Sequence, residues 1–98
     1  MDIETFKGYV GKEDVQIVDV RGEEEYKGGH VEGAEHVFVG TLQQNLDKIK
    51  KDKQIVIHCQ AGDRSAIAYS LLKKNGFENV KNYSGGMKEW KENGNPVI

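Results

Sequence analysis

The sequence predicts an α/β fold, an open parallel sheet of about four to five strands with helices on both faces. Apolar runs rich in β-branched residues occupy 15–20 and 54–59, as expected of strands buried on both sides. Segments with helical spacing alternate with these runs and with two weaker strand candidates, which is typical of a parallel sheet covered by helices. The length of 98 residues fits one domain spanning 1–98.

The first half of the chain contains two predicted helices and two predicted strands. A short helix is predicted at 4–10, and a strand at 15–20 ends before a turn at Arg21. EEEYKG, at 23–28, is predicted as a short helix because acidic residues suit a helix N-terminus. HVFVG, at 36–40, is predicted as a brief strand.

The second half continues the alternation. TLQQNLDKIKK, at 41–51, is predicted as a helix because its apolar residues recur at helical spacing and Thr41 can cap its N-terminus. Asn75-Gly76 is a good stop for the helix that follows Cys59. The remaining predicted elements are a strand at 54–59, a helix at 65–77, a strand at 80–83 and a last helix at 86–94.

Composition and charge exclude several classes of function. The net charge of −2 provides no general attraction for nucleic acid or anionic lipid, and KIKKDK at 48–53 is predicted to close a helix and face water. No apolar run reaches the 18 residues of a membrane span, and the acidic-polar N-terminus does not resemble a secretory signal. We therefore expect a cytoplasmic protein that binds neither nucleic acid nor membrane.

The chain contains one cysteine, Cys59, and three histidines without ligand spacing. A single cysteine cannot form an internal disulfide or an all-thiolate metal site, so we expect no metal and no cofactor. The absence of a second cysteine also excludes a thioredoxin-type redox protein, which resolves its disulfides with two thiols.

Cys59 stands where an apolar strand ends and a helix soon begins. Ligands of parallel sheets bind at the carboxyl ends of the strands, and a helix start near Ser65 offers free amides and a positive dipole. These groups should lower the pKa of the thiol, with Arg64 adding a cation and Gly62 permitting a tight turn. A lone cysteine is often a small buried hydrophobe, but the glycine, the arginine and the helix start together favour a nucleophile.

Three stretches together resemble the rhodanese (thiosulfate sulfurtransferase) family. CQAGDRSA is similar to the family's active-site loop, in which four residues separate the cysteine from the arginine. IVDVRGEEEYKGGHVEGA, at 17–34, resembles the Asp-Val-Arg segment with its Gly-His-Ile-Pro-Gly-Ala signature, except that Glu32 replaces the proline. VKNYSGGMKEW, at 80–90, resembles the terminal Gly-Gly-x-x-x-Trp signature.

The resemblance implies a reaction and a set of residues for it. Cys59 would attack the outer sulfur of a small donor such as thiosulfate, become a persulfide and pass the sulfur to a thiol, cyanide or a protein acceptor. Arg64 would bind the charged end of the donor or fix the loop. Asp19 and Arg21 would support the site, either by touching substrate or as a surface ion pair that braces a loop. The amides that would cradle the sulfur are those of Gln60, Ala61, Gly62, Asp63 and Ser65. We expect a stand-alone monomer.

Three further side chains receive structural assignments. His58 precedes the nucleophile in a strand, so it should point to the opposite face and be a poor general base. The thiolate should therefore be generated electrostatically rather than by a Cys–His dyad. His30 is expected to be a hydrogen-bonded residue of a turn, and Trp90 to fill the core.

Two other functions remain as alternatives. A Cdc25-like cysteine phosphatase would use a similar loop, but with five residues between cysteine and arginine where this chain has four. Asp63 would also repel a phosphate dianion. A non-catalytic regulatory or docking module of the same fold would be expected to lose the cysteine or the arginine, and this chain keeps both Cys59 and Arg64.

Overall fold

The computed structural model describes residues 1–98 and contains a four-stranded, fully parallel sheet. The strands are β1 (Val15–Asp19), β2 (Glu35–His36), β3 (Gln54–His58) and β4 (Val80–Tyr83), in the order β2-β1-β3-β4. The helices are α1 (Ile3–Tyr9), α2 (Glu23–Lys27), α3 (Asp63–Lys74) and α4 (Gly86–Glu92), with a 3₁₀ segment at Val39–Lys48.

Two apolar clusters cover the two faces of the sheet, because successive side chains of a strand point to opposite sides. The first cluster joins α3 and the 3₁₀ segment to the sheet and includes Val18, Val20, Leu42, Ile55, Ile57, Cys59, Ala68 and Leu72. The second joins α1 and α4 to the sheet and includes Phe6, Ile17, Val56, Tyr83, Met87 and Trp90. The predicted α/β architecture, with helices on both faces of a parallel sheet, is confirmed.

The segment predicted as a helix at 41–51 is instead a 3₁₀ segment that begins earlier, at Val39, so Thr41 is not its N-cap. The segment is interrupted at Asn45, whose φ of −127° is not helical. The Asn45 side chain donates to the carbonyl of Thr41 at 2.8 Å, a local bond that competes with the regular helix. Leu42 and Ile49 are nevertheless buried, as their spacing predicted.

Strand β2 and the start of helix α3 also differ from the prediction. Strand β2 has only two residues, although the amide of Val37 still donates to the carbonyl of Asp19 beyond its end. Helix α3 begins at Asp63 rather than Ser65, because Gly62 adopts a φ of +102° and turns the chain directly into the helix. None of the helices combines the length and the apolar composition needed to cross a lipid bilayer.

Candidate active site

Cys59 directly follows β3, at the carboxyl end of the sheet. Its side chain belongs to the first apolar cluster and is 1% exposed. The Gly62 amide donates to Sγ at 3.1 Å, and the thiol donates to the Ser65 hydroxyl oxygen at 3.5 Å. The sulfur therefore lies against the first turn of α3, where helix amides have no partner within the helix.

These neighbours change the ionisation of the thiol. Burial raises the pKa of Cys59. Hydrogen bonds from the Ser65 hydroxyl and from the amides of Ser65, Gly62 and Ala61 lower it by more, so the pKa of the thiol lies below its ordinary value. In the thiol state the Ser65 hydroxyl donates to the carbonyl of Gly62 at 3.2 Å. When the thiol ionises, the hydroxyl is free to rotate and donate to the sulfur.

Gly62 is required by the geometry of the loop. Its positive φ disfavours any other residue, and a Cβ at this position would lie 2.9 Å from the carbonyl oxygen of Ser84. The loop is thus pressed against the segment between β4 and α4. Both the conformation and the space exclude a side chain.

The first turn of α4 holds the backbone of the nucleophile. The amide of Met87 donates to the carbonyl of Cys59 at 2.9 Å, and the amide of Lys88 donates to the carbonyl of Gln60 at 3.0 Å. A Cβ on Gly86 would lie 2.5 and 2.6 Å from these two carbonyl oxygens. The second glycine of GGMKEW, Gly86, is therefore required for a steric reason: there is no room for a side chain against the loop.

Arg64 forms a two-pronged ion pair with Glu25 of α2. The guanidinium nitrogens lie 2.5 and 2.9 Å from the two carboxylate oxygens, and both side chains are partly exposed. The hydrogen bonds from Arg64 hold the pKa of Glu25 at about 2. The same pairing raises the pKa of Arg64, with smaller contributions from the negative charges of Cys59 and Asp19. The charge of Arg64 therefore interacts with that of the Cys59 thiolate, but both terminal nitrogens of the guanidinium are bonded to Glu25.

Glu25 is a residue of this site that the sequence does not single out. Its acidic neighbours predict only the start of a short helix, and its Oε1 does accept from the amide of Gly22 at 3.0 Å. The available signal was its position: a carboxylate soon after β1 lies at the same sheet edge as the loop after β3, since these strands are adjacent and parallel.

Asp19 and Arg21 form an ion pair, but the pair is buried. The predicted alternative of a surface ion pair is therefore wrong about its location. Asp19 is 0% and Arg21 is 2% exposed. Arg21 Nε and a terminal nitrogen contact the carboxylate at 2.8 to 3.1 Å, and that nitrogen also donates to the carbonyl of Gly29 at 2.8 Å. The pair braces the turn after α2, since it joins the end of β1 to Gly29.

The histidines and the tryptophan lie away from the sulfur. His58 belongs to the opposite face, where its ring meets Phe6 edge to face, and burial lowers its pKa so that it stays neutral. His30 Nδ1 bonds the carbonyl of Tyr26 at 2.9 Å and its ring stacks on that residue. Trp90 is buried and donates to the carbonyl of Pro96 at 2.8 Å. These placements agree with the structural assignments of all three.

The remaining loop residues contribute different parts of the surface. Gln60 is half-buried, while the Ala61 and Asp63 side chains are exposed. Asp63 is the first residue of α3, where a carboxylate is favoured by the helix dipole. The largest cleft, of about 490 Å³, lies between α2 and the 3₁₀ segment and is not lined by Cys59.

Comparisons with known proteins agree with this geometry. The family model of the rhodanese-like domain matches residues 2–93. The uncharacterized protein YqhL of Bacillus subtilis is 38% identical over 80 residues, which are 82% of this chain and 64% of that protein, so the chain spans less than two thirds of YqhL. The thiosulfate sulfurtransferase GlpE of Coxiella burnetii is 33% identical over 84% of this chain and 77% of its own length.

A solved structure shows the same architecture. The human single-domain sulfurtransferase TSTD1 superimposes with a TM-score of 0.80 at 26% identity, covering 94% of each chain. The match of the family model extends over nearly the whole sequence and includes all three stretches on which the resemblance depended. The chain therefore belongs to the family of rhodanese-like domains.

Proposed function

We propose that this protein is a sulfurtransferase, in which Cys59 takes sulfane sulfur from a donor such as thiosulfate or a persulfide and passes it to an acceptor. The observation that carries the proposal is the position of Sγ. It lies 3.1 Å from the Gly62 amide, against the first turn of α3, in surroundings that lower its pKa. A thiolate is the nucleophilic form of cysteine, so this arrangement favours attack on sulfur.

The first half-reaction loads the cysteine. The Cys59 thiolate attacks the outer sulfur of the donor, a new S–S bond forms, and the donor's own S–S bond breaks. The leaving group takes the bonding electron pair, as sulfite from thiosulfate or as a thiolate from a persulfide. The amides of residues 60–65 would stabilise the negative charge on the transferred sulfur, since backbone donors fixed before the reaction lose nothing by reorganising.

The second half-reaction returns the free cysteine. A thiol, cyanide or a protein acceptor attacks the outer sulfur of the Cys59 persulfide, and Cys59 leaves as the thiolate. Because the chain has one cysteine, no internal thiol can resolve the persulfide, so the acceptor must come from outside. Likeness to sulfurtransferases such as GlpE supports this two-partner scheme in general.

The proposed residues have distinct roles. Cys59 is the nucleophile, and Gln60, Ala61, Gly62, Asp63 and Ser65 would provide the amides around the sulfur, with the Ser65 hydroxyl as a further donor. Arg64 would fix the loop through Glu25 or bind an anionic donor that displaces this carboxylate. Asp19 and Arg21 would support the turn after α2 from the interior.

Intact mass spectrometry tests the proposal directly. After incubation with thiosulfate, or with a persulfide donor, the protein should gain the mass of one sulfur atom, and cyanide should remove it. Cys59→Ser should gain nothing. Hydrolysis of an aryl phosphate without sulfur uptake would favour the phosphatase alternative, and inactivity in both assays would favour the non-catalytic module.

A further inference from the structure

The only arginine of the Cys59 loop (residues 59–65) is already occupied by a carboxylate. Glu25 meets both terminal nitrogens of Arg64, at 2.5 and 2.9 Å. Its Oε1, the oxygen that lies 2.5 Å from Arg64, also accepts from the Gly22 amide at 3.0 Å, so the N-terminus of α2 helps to hold the carboxylate in place. This pairing joins α2 to the first turn of α3, through two residues that are 39 apart in sequence.

The charge at this edge of the site is therefore not positive. Glu25 is ionised at any ordinary pH, since the hydrogen bonds from Arg64 hold its pKa at about 2. Asp63, next to Arg64, is an exposed second carboxylate. Only Glu25 contacts the guanidinium, but with Asp63 beside it the three side chains carry two negative charges and one positive charge, so their sum is negative.

We propose that Glu25 sets the donor preference of the enzyme, by neutralising Arg64 so that the site disfavours the thiosulfate dianion and favours the persulfide of a small thiol or of a protein. The inference rests on the proposed sulfurtransferase function and narrows its substrate class. Glu25 acts through Arg64 and is a positioning residue, not one that touches the transferred sulfur.

The two donors differ in the charge that must approach Cys59. With thiosulfate, a dianion meets the thiolate, the S–S bond breaks, and sulfite dianion leaves while the persulfide anion remains. With a protonated persulfide, a neutral –S–SH group meets the same thiolate, and the leaving thiolate carries one charge. Repulsion from an uncompensated carboxylate therefore acts on the first reaction much more than on the second.

The ion pair is also placed where a donor anion can compete for it. Arg64 is 32% and Glu25 is 40% exposed, so an anion in solution can reach both partners of the pair. Thiosulfate at high concentration can displace Glu25 and bind the guanidinium. The preference should therefore affect mainly KM for thiosulfate, with little change in kcat.

The decisive variant is Glu25→Gln, because glutamine removes the charge and keeps an oxygen for the Gly22 amide. We expect KM for thiosulfate to fall roughly 3- to 30-fold, with kcat within about twofold of wild type. With cysteine persulfide as the donor, kcat/KM should change less than about twofold. Glu24→Gln removes the neighbouring, exposed charge of α2 and should leave both donors within about twofold.

The outcomes separate the inference from the proposed function. If both donors load Cys59 and Glu25→Gln leaves their ratio of kcat/KM unchanged, or if Glu24→Gln changes it equally, the role of Glu25 is refuted and sulfur transfer stands. If neither donor loads wild-type Cys59, the function itself is refuted. If the variant does not fold, a salt titration of the wild type tests the same point. Added sodium chloride should screen the repulsion between the carboxylates and thiosulfate and so lower KM for thiosulfate. A rise in KM would overturn the inference.

Discussion

The amide of Met87 donates to the carbonyl of Cys59 at 2.9 Å, so the first turn of α4 fixes the backbone of the nucleophile, while the amides of the loop contact its sulfur. Lys88 makes the equivalent bond to Gln60. The geometry around Sγ therefore depends on a helix far away in sequence as well as on the loop itself. Substitutions in α4 should consequently change the rate of persulfide formation.

Gly86→Ala tests this dependence. The new methyl group would meet the carbonyl oxygens of Cys59 and Gln60 at 2.5 and 2.6 Å, so the loop must move. We expect the rate of persulfide formation to fall roughly 10- to 100-fold, because preorganised groups lose most of their effect when they are misplaced by about 1 Å. Gly94→Ala is the matched control: it has a similar positive φ, of +73°, but no atom within 4 Å of its Cβ, and it should keep the wild-type rate.

Ser65→Ala tests the origin of the lowered thiol pKa. Wild-type Cys59 should react with an alkylating agent with a midpoint pH below that of a free thiol, since its hydrogen bonds outweigh the effect of burial. Removing the hydroxyl leaves only the amides, so the midpoint should move upward. The thiolate, present above the pKa, would then be scarcer at neutral pH. Ser70→Ala, an exposed change in the same helix, should leave the midpoint in place, and an unchanged midpoint in Ser65→Ala would contradict the assignment.

Arg64→Ala tests the part played by the guanidinium. The change leaves the Glu25 carboxylate unpaired beside the loop, so kcat/KM for thiosulfate should fall about 10- to 1,000-fold, equivalent to roughly 1.4–4 kcal/mol. Arg64→Lys should recover little, because an ammonium cannot reproduce the fork. The double variant with Glu25→Gln should regain part of the loss. A folded Arg64→Ala with full activity would make Arg64 a bystander.

Arg21→Met tests the buried ion pair. The change leaves the Asp19 carboxylate buried without its partner, and the free energy of unfolding in urea should fall by about 3–5 kcal/mol. The exposed pair Glu23–Lys27 provides the comparison, since Lys27→Met should change stability by less than about 1 kcal/mol. Equal effects of the two changes would show that burial of the first pair has no energetic consequence.

The length of the loop gives the last prediction. One glycine inserted between Gly62 and Asp63 would produce five residues between Cys59 and Arg64, the spacing of cysteine phosphatases. Sulfur uptake should drop about 100-fold, since the amides would no longer converge on one atom. The wild type should not hydrolyse aryl phosphates. A wild type that does so and accepts no sulfur would mean that the nucleophile was assigned correctly and its electrophile wrongly.

Much of the fold followed from patterns that are local in sequence. The period of two in β3 was enough to place Cys59 and His58 on opposite faces, and the structure confirms it: Cys59 belongs to the first cluster, whereas the His58 ring contacts Phe6 of the second. Helical spacing was a weaker guide. Leu42 and Ile49 are buried as expected, yet the backbone between them is 3₁₀, because apolar spacing does not report the side-chain bond by which Asn45 breaks the helix.

The site was harder to predict wherever its contacts are distant in sequence. The Arg64–Glu25 pair joins residues 39 apart, and no local pattern selects Glu25 among three consecutive acidic residues. The burial of Asp19 and Arg21 likewise depends on the turn at Gly29, which only the folded chain brings to the guanidinium. Local sequence indicated the chemistry of the sulfur, whereas the electrostatics of its surroundings required the structure.

The contacts to Sγ and to the loop carbonyls are made mostly by the main chain, through the amides of Gly62, Met87 and Lys88. The side chains of Ala61 and Asp63 point outward into solvent. Evolution can therefore alter these positions without disturbing the reactive geometry, because a peptide group is the same whatever side chain it bears. Such a loop separates catalysis from recognition: the backbone keeps the nucleophile, and the outward side chains are free to diversify as the sulfur-carrying partner changes.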